Sequence, residues 1–177
     1  MIFGQIENAM IARLDAASKL GVLGYTLQKV DSLPTDLDER LATYVQNFPA
    51  AWVVFGGFPS AENMSGGEAI VEARFHLVVG ASSLRNEKAQ RVGDGVGGVG
   101  SYQLAMDAIG LLMGQDFGLP IGGLQLAGCN PLYTGRTQDN RKCSLFAVQF
   151  TSRLVFNPTA PDLLTTPPVA DFTTFAV

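Results

Sequence analysis

Two stretches of the chain alternate apolar and polar positions with a period of two. In residues 69–79 one face is apolar and the other carries Glu72, Arg74 and His76. In residues 144–156 one face is again apolar, except at Ser152. This period is typical of a strand that buries one face, so both stretches predict long, half-buried strands.

Residues 101–113 follow a helical period and are apolar on almost every side. Gln103, Asp107 and Gly110 form a narrow polar stripe. A helix with this pattern is covered on more than one side. A sheet of the same domain can cover one side, so the other side requires more of the chain or a partner.

The other predicted elements are shorter, apart from an N-terminal helix. Apolar residues recur at steps of three and four in residues 2–20, which predicts an amphipathic helix that ends at Gly21 and Gly24. The apolar run 50–55 predicts a buried strand, which could pair antiparallel with the strand at 69–79. Short strands are predicted at 25–30 and 124–126, a short helix at 35–46, and turns at 31–34 and 135–142.

These elements predict an α+β fold, with helices on one face of a mostly antiparallel sheet. The 177 residues suit one domain of ordinary size, which we place at residues 1–156. Residues 157–177 differ in character, because they hold four prolines, five threonines and two charges. Such a segment cannot form a core of its own, so we expect an extended C-terminal arm that ends in the apolar patch 172–177.

Charge is scarce along the chain. Charged residues make up 16% of the sequence, whereas ordinary soluble domains carry about 25%, which predicts a surface partly covered by other protein. The net charge of −4 gives a nucleic-acid partner no general support. The uncharged runs 41–61 and 117–135 are interrupted by glycines and prolines, so neither predicts a membrane span. We expect a soluble protein with reduced thiols at Cys129 and Cys143.

Motifs that would carry chemistry are weak. The glycines between Gly93 and Gly100 twice match G-x-G-x-x-G, but a polar segment precedes them where a dinucleotide site has a strand, so a flexible loop is favoured. His76 is the only histidine, and it does not complete a catalytic triad or, with Cys129 and Cys143, a zinc site. We predict no enzyme, cofactor or metal. A small nucleotide-binding protein that uses Gly93–Gly100 is kept as an alternative.

Arg85, Lys88 and Arg91 place three positive charges within seven residues. Their spacing suits a basic hairpin tip that binds nucleic acid, an acidic face of an identical neighbour, or solvent alone. The acidic chain and the interruption by Glu87 favour the neighbour over nucleic acid. The solvated loop stays open as an interpretation.

Several segments together resemble one known family. Ala81–Ala89 (ASSLRNEKA), Val99–Gly118 (VGSYQLAMDAIGLLMGQDFG) and the following Leu-Pro-Ile, with the N-terminal amphipathic helix, resemble a protein family of Mu-like contractile-tailed phages. Members are encoded near the tail sheath and tube genes and look like tail terminator proteins. Gly122-Gly123 departs from the family pattern, where a proline is expected.

The resemblance implies a structural role in the virion. Terminators of this kind form a hexameric ring on the head-proximal end of the tail tube, stop the polymerisation of tube and sheath, and offer a surface to the head connector. The implied partners are copies of the chain itself, the tube and sheath proteins and the head connector, with assembly in the host cytoplasm. Another tail-completion or head–tail connector protein is the alternative in the same area.

A ring needs large subunit interfaces, and the sequence offers candidates on the central helix, the basic segment and the arm. The candidates are Arg85, Lys88, Arg91, Tyr102, Met106, Ile109, Met113, Phe172 and Phe175. We expect the arm to dock on an adjacent subunit or on another tail component.

Overall fold

The computed structural model describes residues 1–37, 39–65, 67–83, 87–93, 98–137 and 142–157. Within these residues the chain forms four α-helices, one 3-10 turn and six strands. In chain order they are α1 (Ile2–Lys19), β1 (Lys29–Ser32), α2 (Leu41–Tyr44), the 3-10 turn (Val45–Asn47), β2 (Ala50–Gly57), β3 (Ala61–Asn63), β4 (Ala69–Ser83), α3 (Glu87–Val92), α4 (Ser101–Leu112), β5 (Gln125–Arg136) and β6 (Lys142–Phe156).

The six strands of the described residues form one sheet in the order β1-β2-β4-β6-β5, with β3 paired to β4 beside this path. β1 and β2 run parallel, and the other pairs are antiparallel. β4 and β6 form the centre and pair along their whole length, from Ala69 opposite Phe156 to Ser83 opposite Lys142. The predicted α+β class with a mostly antiparallel sheet is therefore confirmed.

The main core lies between one face of this sheet and the helices α1 and α4. Burying one large apolar side chain stabilises the fold by about 1.5–3 kcal/mol, so this layer dominates stability. The alternation predicted for β4 and β6 is observed, and Ser152 fits on the apolar face because its hydroxyl donates a 2.5 Å hydrogen bond to the carbonyl oxygen of Gly122. The buried side chains include Phe3, Ile6, Met10 and Leu14 of α1, Val71, Phe75, Leu77 and Val79 of β4, and Val148, Phe150 and Leu154 of β6.

A second, smaller cluster lies on the opposite face of the sheet. The segment 33–48 folds over β2, with the buried ring of Trp52 at the centre. Because residues alternate along a strand, Ala51 and Val53 of β2 face the main core instead. β2 is thus covered on both faces, which explains its unbroken apolar sequence. The predicted placement of helices on one face holds for α1 and α4, whereas α2 and the 3-10 turn lie on the other face.

The segments before and after β1 differ from the prediction. The strand expected at 25–30 is displaced to Lys29–Ser32, because the N–H of Leu27 donates a 2.8 Å hydrogen bond to the Ser18 hydroxyl and ties this segment to α1. The turn expected at 31–34 therefore begins later. The helix expected at 35–46 is reduced to one turn of α2 followed by the 3-10 turn.

β5 is far longer than the strand expected at 124–126. Gly128, Pro131 and Gly135 disfavour a strand in the sequence. Irregularities in the pairing between Leu126 and Gly128, and again after Pro131, shift the alternation by one residue each time. β5 also extends through part of the turn that was expected at 135–142, and residues 138–141 of that turn lie outside the described residues.

Candidate subunit interface

Gly100 directly precedes α4, and its backbone packs against the preceding helix. A Cβ on Gly100 would clash with the carbonyl group of Arg91 in α3. A Cβ on Gly93, which has a φ of 91°, would lie 2.7 Å from the carbonyl oxygen of Gly98. Both positions require glycine. These two members of the glycine run therefore have a packing role, while residues 94–97 lie outside the described residues.

One flank of α4 is tied to α1 and to the loop that follows α1. The hydroxyl of Tyr25 donates a 2.8 Å hydrogen bond to the carboxylate of Asp107, which also accepts one of 2.7 Å from the Gln103 amide. The Arg13 Nε donates a 2.6 Å hydrogen bond to the carbonyl oxygen of Leu111. Burial and the hydrogen bond to Asp107 raise the pKa of Tyr25, so its hydroxyl remains a donor at neutral pH.

The opposite flank of α4 exposes apolar side chains. Tyr102, Met106 and Met113 are 46%, 64% and 54% exposed, and Ile109 is half-buried. Steps of three and four place these four residues on one stripe of the helix. The sheet and α1 provide the two covers that the sequence predicts for this helix. The stripe is a third side, which the described residues leave in contact with solvent.

β5 continues this apolar flank on the sheet. Leu126, Cys129 and Pro131 are exposed and pair with β6 residues that face the main core. Paired residues share a face, so these three lie on the same face of the sheet as α4. The ring of Phe146 in β6 connects the two elements, because it meets the ring of Tyr102 edge-on at a centroid distance of 5.4 Å.

We name this region the α4–β5 surface. It comprises Tyr102, Met106 and Ile109 of α4, Met113 directly after α4, Leu126, Cys129 and Pro131 of β5, and Phe146 of β6. An exposed apolar patch of this kind typically marks a contact with another protein.

The two edge strands of the sheet path differ in length and charge. β1 has four residues, two of which, Lys29 and Asp31, form an ion pair of 2.7 Å. β5 has twelve residues, and Arg136 is its single charged residue. Short length and charge protect an edge strand from pairing with other chains. β1 has both protections, whereas β5 relies on its two irregularities and Pro131.

Groups that could carry chemistry are dispersed over the molecule. His76 lies on the sheet face opposite α4, where its ring packs over Gly56. Cys143 is buried, which raises the pKa of its thiol to about 11, whereas Cys129 is exposed. Within the residues that the structure describes, no three potential metal ligands come together. None of the described helices has the length and apolar character needed to cross a membrane.

A comparison with protein families identifies the domain. The family model described as Bacteriophage Mu, Gp37 matches residues 2–155. The chain belongs to this family. The predicted resemblance to a Mu-like phage family is confirmed, and membership implies a phage structural, tail-related and virion-associated protein. A search of the curated proteins finds no match.

The match to the Gp37 family contains the whole α4–β5 surface and ends at residue 155, one residue before the end of β6. Residues 157–177, the predicted arm, lie beyond it. The apolar surface is therefore part of the matched domain, and the segment predicted as an arm follows the match.

The interface candidates from the sequence fall into three groups. Those of the central helix come together on the α4–β5 surface: Tyr102, Met106, Ile109 and Met113. Lys88 and Arg91 lie on α3, a short helix that packs against α4, where a hairpin tip was expected. Three further candidates lie outside the described residues: Arg85, Phe172 and Phe175. The contribution of β5 was missed, and scarcity of charge in residues 117–135 was its one signal in the sequence.

Proposed function

We propose that this chain is the tail terminator of a contractile-tailed phage. It forms a ring on the head-proximal end of the tail, stops the polymerisation of tube and sheath, and offers a surface for joining the head. The observation that carries the proposal is the exposed α4–β5 surface on a domain of a Mu phage family.

Exposure of the apolar α4–β5 surface to water is unfavourable for an isolated subunit. A neighbour that covers the α4–β5 surface would gain roughly 25 cal/mol of stabilisation for every Å² of apolar area removed from water. A closed ring of identical subunits uses two different surfaces, one from each neighbour, in every contact. The α4–β5 surface supplies one of the two. We take six as the number of subunits in the ring from the resemblance of the sequence to tail terminators.

Electron microscopy of particles from a strain that lacks this gene tests the function. We expect tails of uncontrolled length that carry no heads, and we expect normal particles when the gene is supplied on a plasmid. Tails of normal length that fail to join heads would overturn the terminator function and favour a head–tail connector. Normal particles in the deletion strain would overturn any role in the tail.

A thermal-shift screen with nucleotides tests the alternative that uses Gly93–Gly100. A ligand that binds the folded state raises the melting temperature by mass action. We expect no shift with nucleoside mono-, di- or triphosphates at millimolar concentration. A rise of several degrees with one of them would favour the nucleotide-binding alternative over a purely structural role.

A further inference from the structure

The edge of β5 has the properties of a strand that accepts another strand. It is twelve residues long and nearly uncharged, and it runs beside the apolar α4–β5 surface. An added strand gains main-chain hydrogen bonds from such an edge, while its alternate side chains bury themselves in a neighbouring apolar surface. A suitable occupant must therefore be prone to β-structure, nearly uncharged and apolar on one face.

The chain itself contains such a segment beyond the described residues. Residues 158–177 divide into two parts by composition. All four of their prolines lie in residues 158–168, which favours an extended spacer. Residues 169–177 (VADFTTFAV) contain no proline and one charge, Asp171, and are rich in valine, threonine and phenylalanine. These residue types favour strands.

The end of β6 indicates which copy receives this segment. Asn157 donates a 3.3 Å hydrogen bond to the carboxylate of Glu68, just before β4, so the side chain that follows β6 is still held beside β4. On the opposite side of β6, towards β5, the N–H of Gly122 already donates a 2.7 Å hydrogen bond to the carbonyl oxygen of Arg153. To reach β5 of its own subunit, the chain would have to double back across this segment.

The lengths suit a neighbouring subunit. Eleven spacer residues reach at most about 36–40 Å when fully extended, which is close to the diameter of a domain of this size, roughly 40 Å. Nine further residues as a strand cover about 30 Å, less than the length of the twelve-residue β5.

We propose that residues 169–177 of one subunit add as a further strand to the β5 edge of the adjacent subunit, with one of their two phenylalanines against the α4–β5 surface. Phe172 and Phe175 lie three positions apart, and an odd step along a regular strand places two residues on opposite faces. The proposal deepens the proposed function and rests on it for the presence of an adjacent copy.

Disulfide trapping on the full chain tests this docking. Cys129 lies on the α4–β5 surface and is exposed, whereas Cys143, the other cysteine of the chain, is buried. Phe172→Cys and Phe175→Cys therefore each create one new partner for Cys129. Partial burial raises the pKa of the Cys129 thiol, so the introduced cysteine supplies the thiolate. Both variants are oxidised mildly at a pH of about 8.5, as concentrated purified protein and on isolated tails. The products are then separated by non-reducing electrophoresis and weighed by mass spectrometry.

We expect covalent oligomers from one of the two variants in at least one of the two preparations. We expect their loss when Cys129→Ser is added. Oligomers that persist with Cys129→Ser would show that arms pair with each other and would overturn the proposal. A disulfide within one chain would overturn docking on a neighbour. Absence of any bond to Cys129 in both variants and both preparations would overturn docking on β5.

These outcomes can be separated from failure of the proposed function. Uncontrolled tail length in the deletion strain, together with absence of a bond to Cys129, would leave the terminator function in place and refute only the arm. Normal tails in the deletion strain would refute the terminator function. A bond to Cys129 would then report self-association without that role.

Discussion

The helices α1 and α4 cover the same face of the sheet but differ in how much of their apolar surface is buried within the subunit. α1 directs its large apolar side chains into the core. Its Glu7 carboxylate accepts hydrogen bonds from the Ser32 hydroxyl of β1 and from the N–H of Phe55 in β2, the latter at 3.3 Å. α4 buries one face and binds α1 along one flank, but it leaves an apolar stripe exposed on the side of β5.

This difference divides the domain into two halves. The half around α1 and β1 buries the apolar face of its helix within the subunit, whereas the half around α4 and β5 leaves apolar side chains exposed. At the β1 edge, the short charged strand β1 is bonded to the amphipathic helix α1 within the subunit, through the hydrogen bond from Ser32 to Glu7. At the β5 edge, the long strand β5, with one charged residue, and the helix α4, which is apolar on two faces, expose surface that another protein could bury. The apolar positions of a helix in the sequence therefore do not by themselves show which of them are buried within the subunit.

The largest expected effect is on the free energy of unfolding, in a comparison of two methionines, one from each half. Met10 of α1 is fully buried, whereas Met106 of α4 is 64% exposed. We expect Met10→Ala to lower the free energy of unfolding by about 2–5 kcal/mol through lost burial and a cavity. Met106→Ala should change it by less than about 0.5 kcal/mol. Urea unfolding of both variants measures the contrast, and equal losses would contradict the division into halves.

An intermediate effect concerns assembly rather than folding. Met106→Lys places a charge on the α4–β5 surface, and we expect it to weaken self-association or binding to tails at least about tenfold, because a charge cannot be buried there unpaired. Leu20→Lys is the matched control, since Leu20 is also an exposed apolar residue but lies at the end of α1. Ultracentrifugation and tail pull-down measure both. If the two variants behave alike, the α4–β5 surface is not an interface.

The smallest expected effect lies at the contact between the two halves. Tyr25→Phe removes the hydrogen bond to Asp107 and should cost about 0.5–1.5 kcal/mol of stability at pH 7. Tyr102→Phe on the exposed flank is the control and should cost less. Urea unfolding at neutral pH measures the two losses.

The contribution of Tyr25 should also depend on pH. Because the pKa of Tyr25 is raised in the folded state, this state holds the proton more tightly than the unfolded chain, whose tyrosines titrate near 10. The stability from Tyr25 is therefore complete below a pH of about 10 and declines as pH rises further. The advantage of the natural chain over Tyr25→Phe should shrink at alkaline pH, and a constant advantage would contradict this account.

Most of the fold could be predicted where each element obeys one simple period. α1 has a single buried face and β2 is buried on both faces. β4 and β6 alternate without interruption, although Val78, Cys143 and Leu145 are also buried on their second face. Only the start of β5 was predicted, at 124–126, and its full length was not, because each irregularity at Leu126 and after Pro131 resets its alternation. β1 was displaced because the Ser18 hydroxyl competes for the backbone of residue 27.

Half of the candidate interface could likewise be predicted. The stripe on α4 follows from a helix with more apolar positions than one sheet can cover, which the sequence shows directly. The half on β5 depends on which β6 residue each β5 residue faces, and that register arises only when the sheet forms. Cys129 therefore looked like an isolated cysteine until its pairing with Val148 placed it on the face of the sheet that α4 covers.

The central pair of strands has a consequence for how the protein is made. β4 cannot complete its pairing before β6 is present. Ala69 of β4 lies opposite Phe156 of β6, and almost half of the chain separates these two residues. Contacts between such distant positions slow folding. A nascent chain therefore emerges from the ribosome with one edge of β4 unpaired until β6 has been synthesised. During that interval, crowded copies in a host cell are vulnerable to aggregation, so chaperone supply would govern the yield of usable subunits.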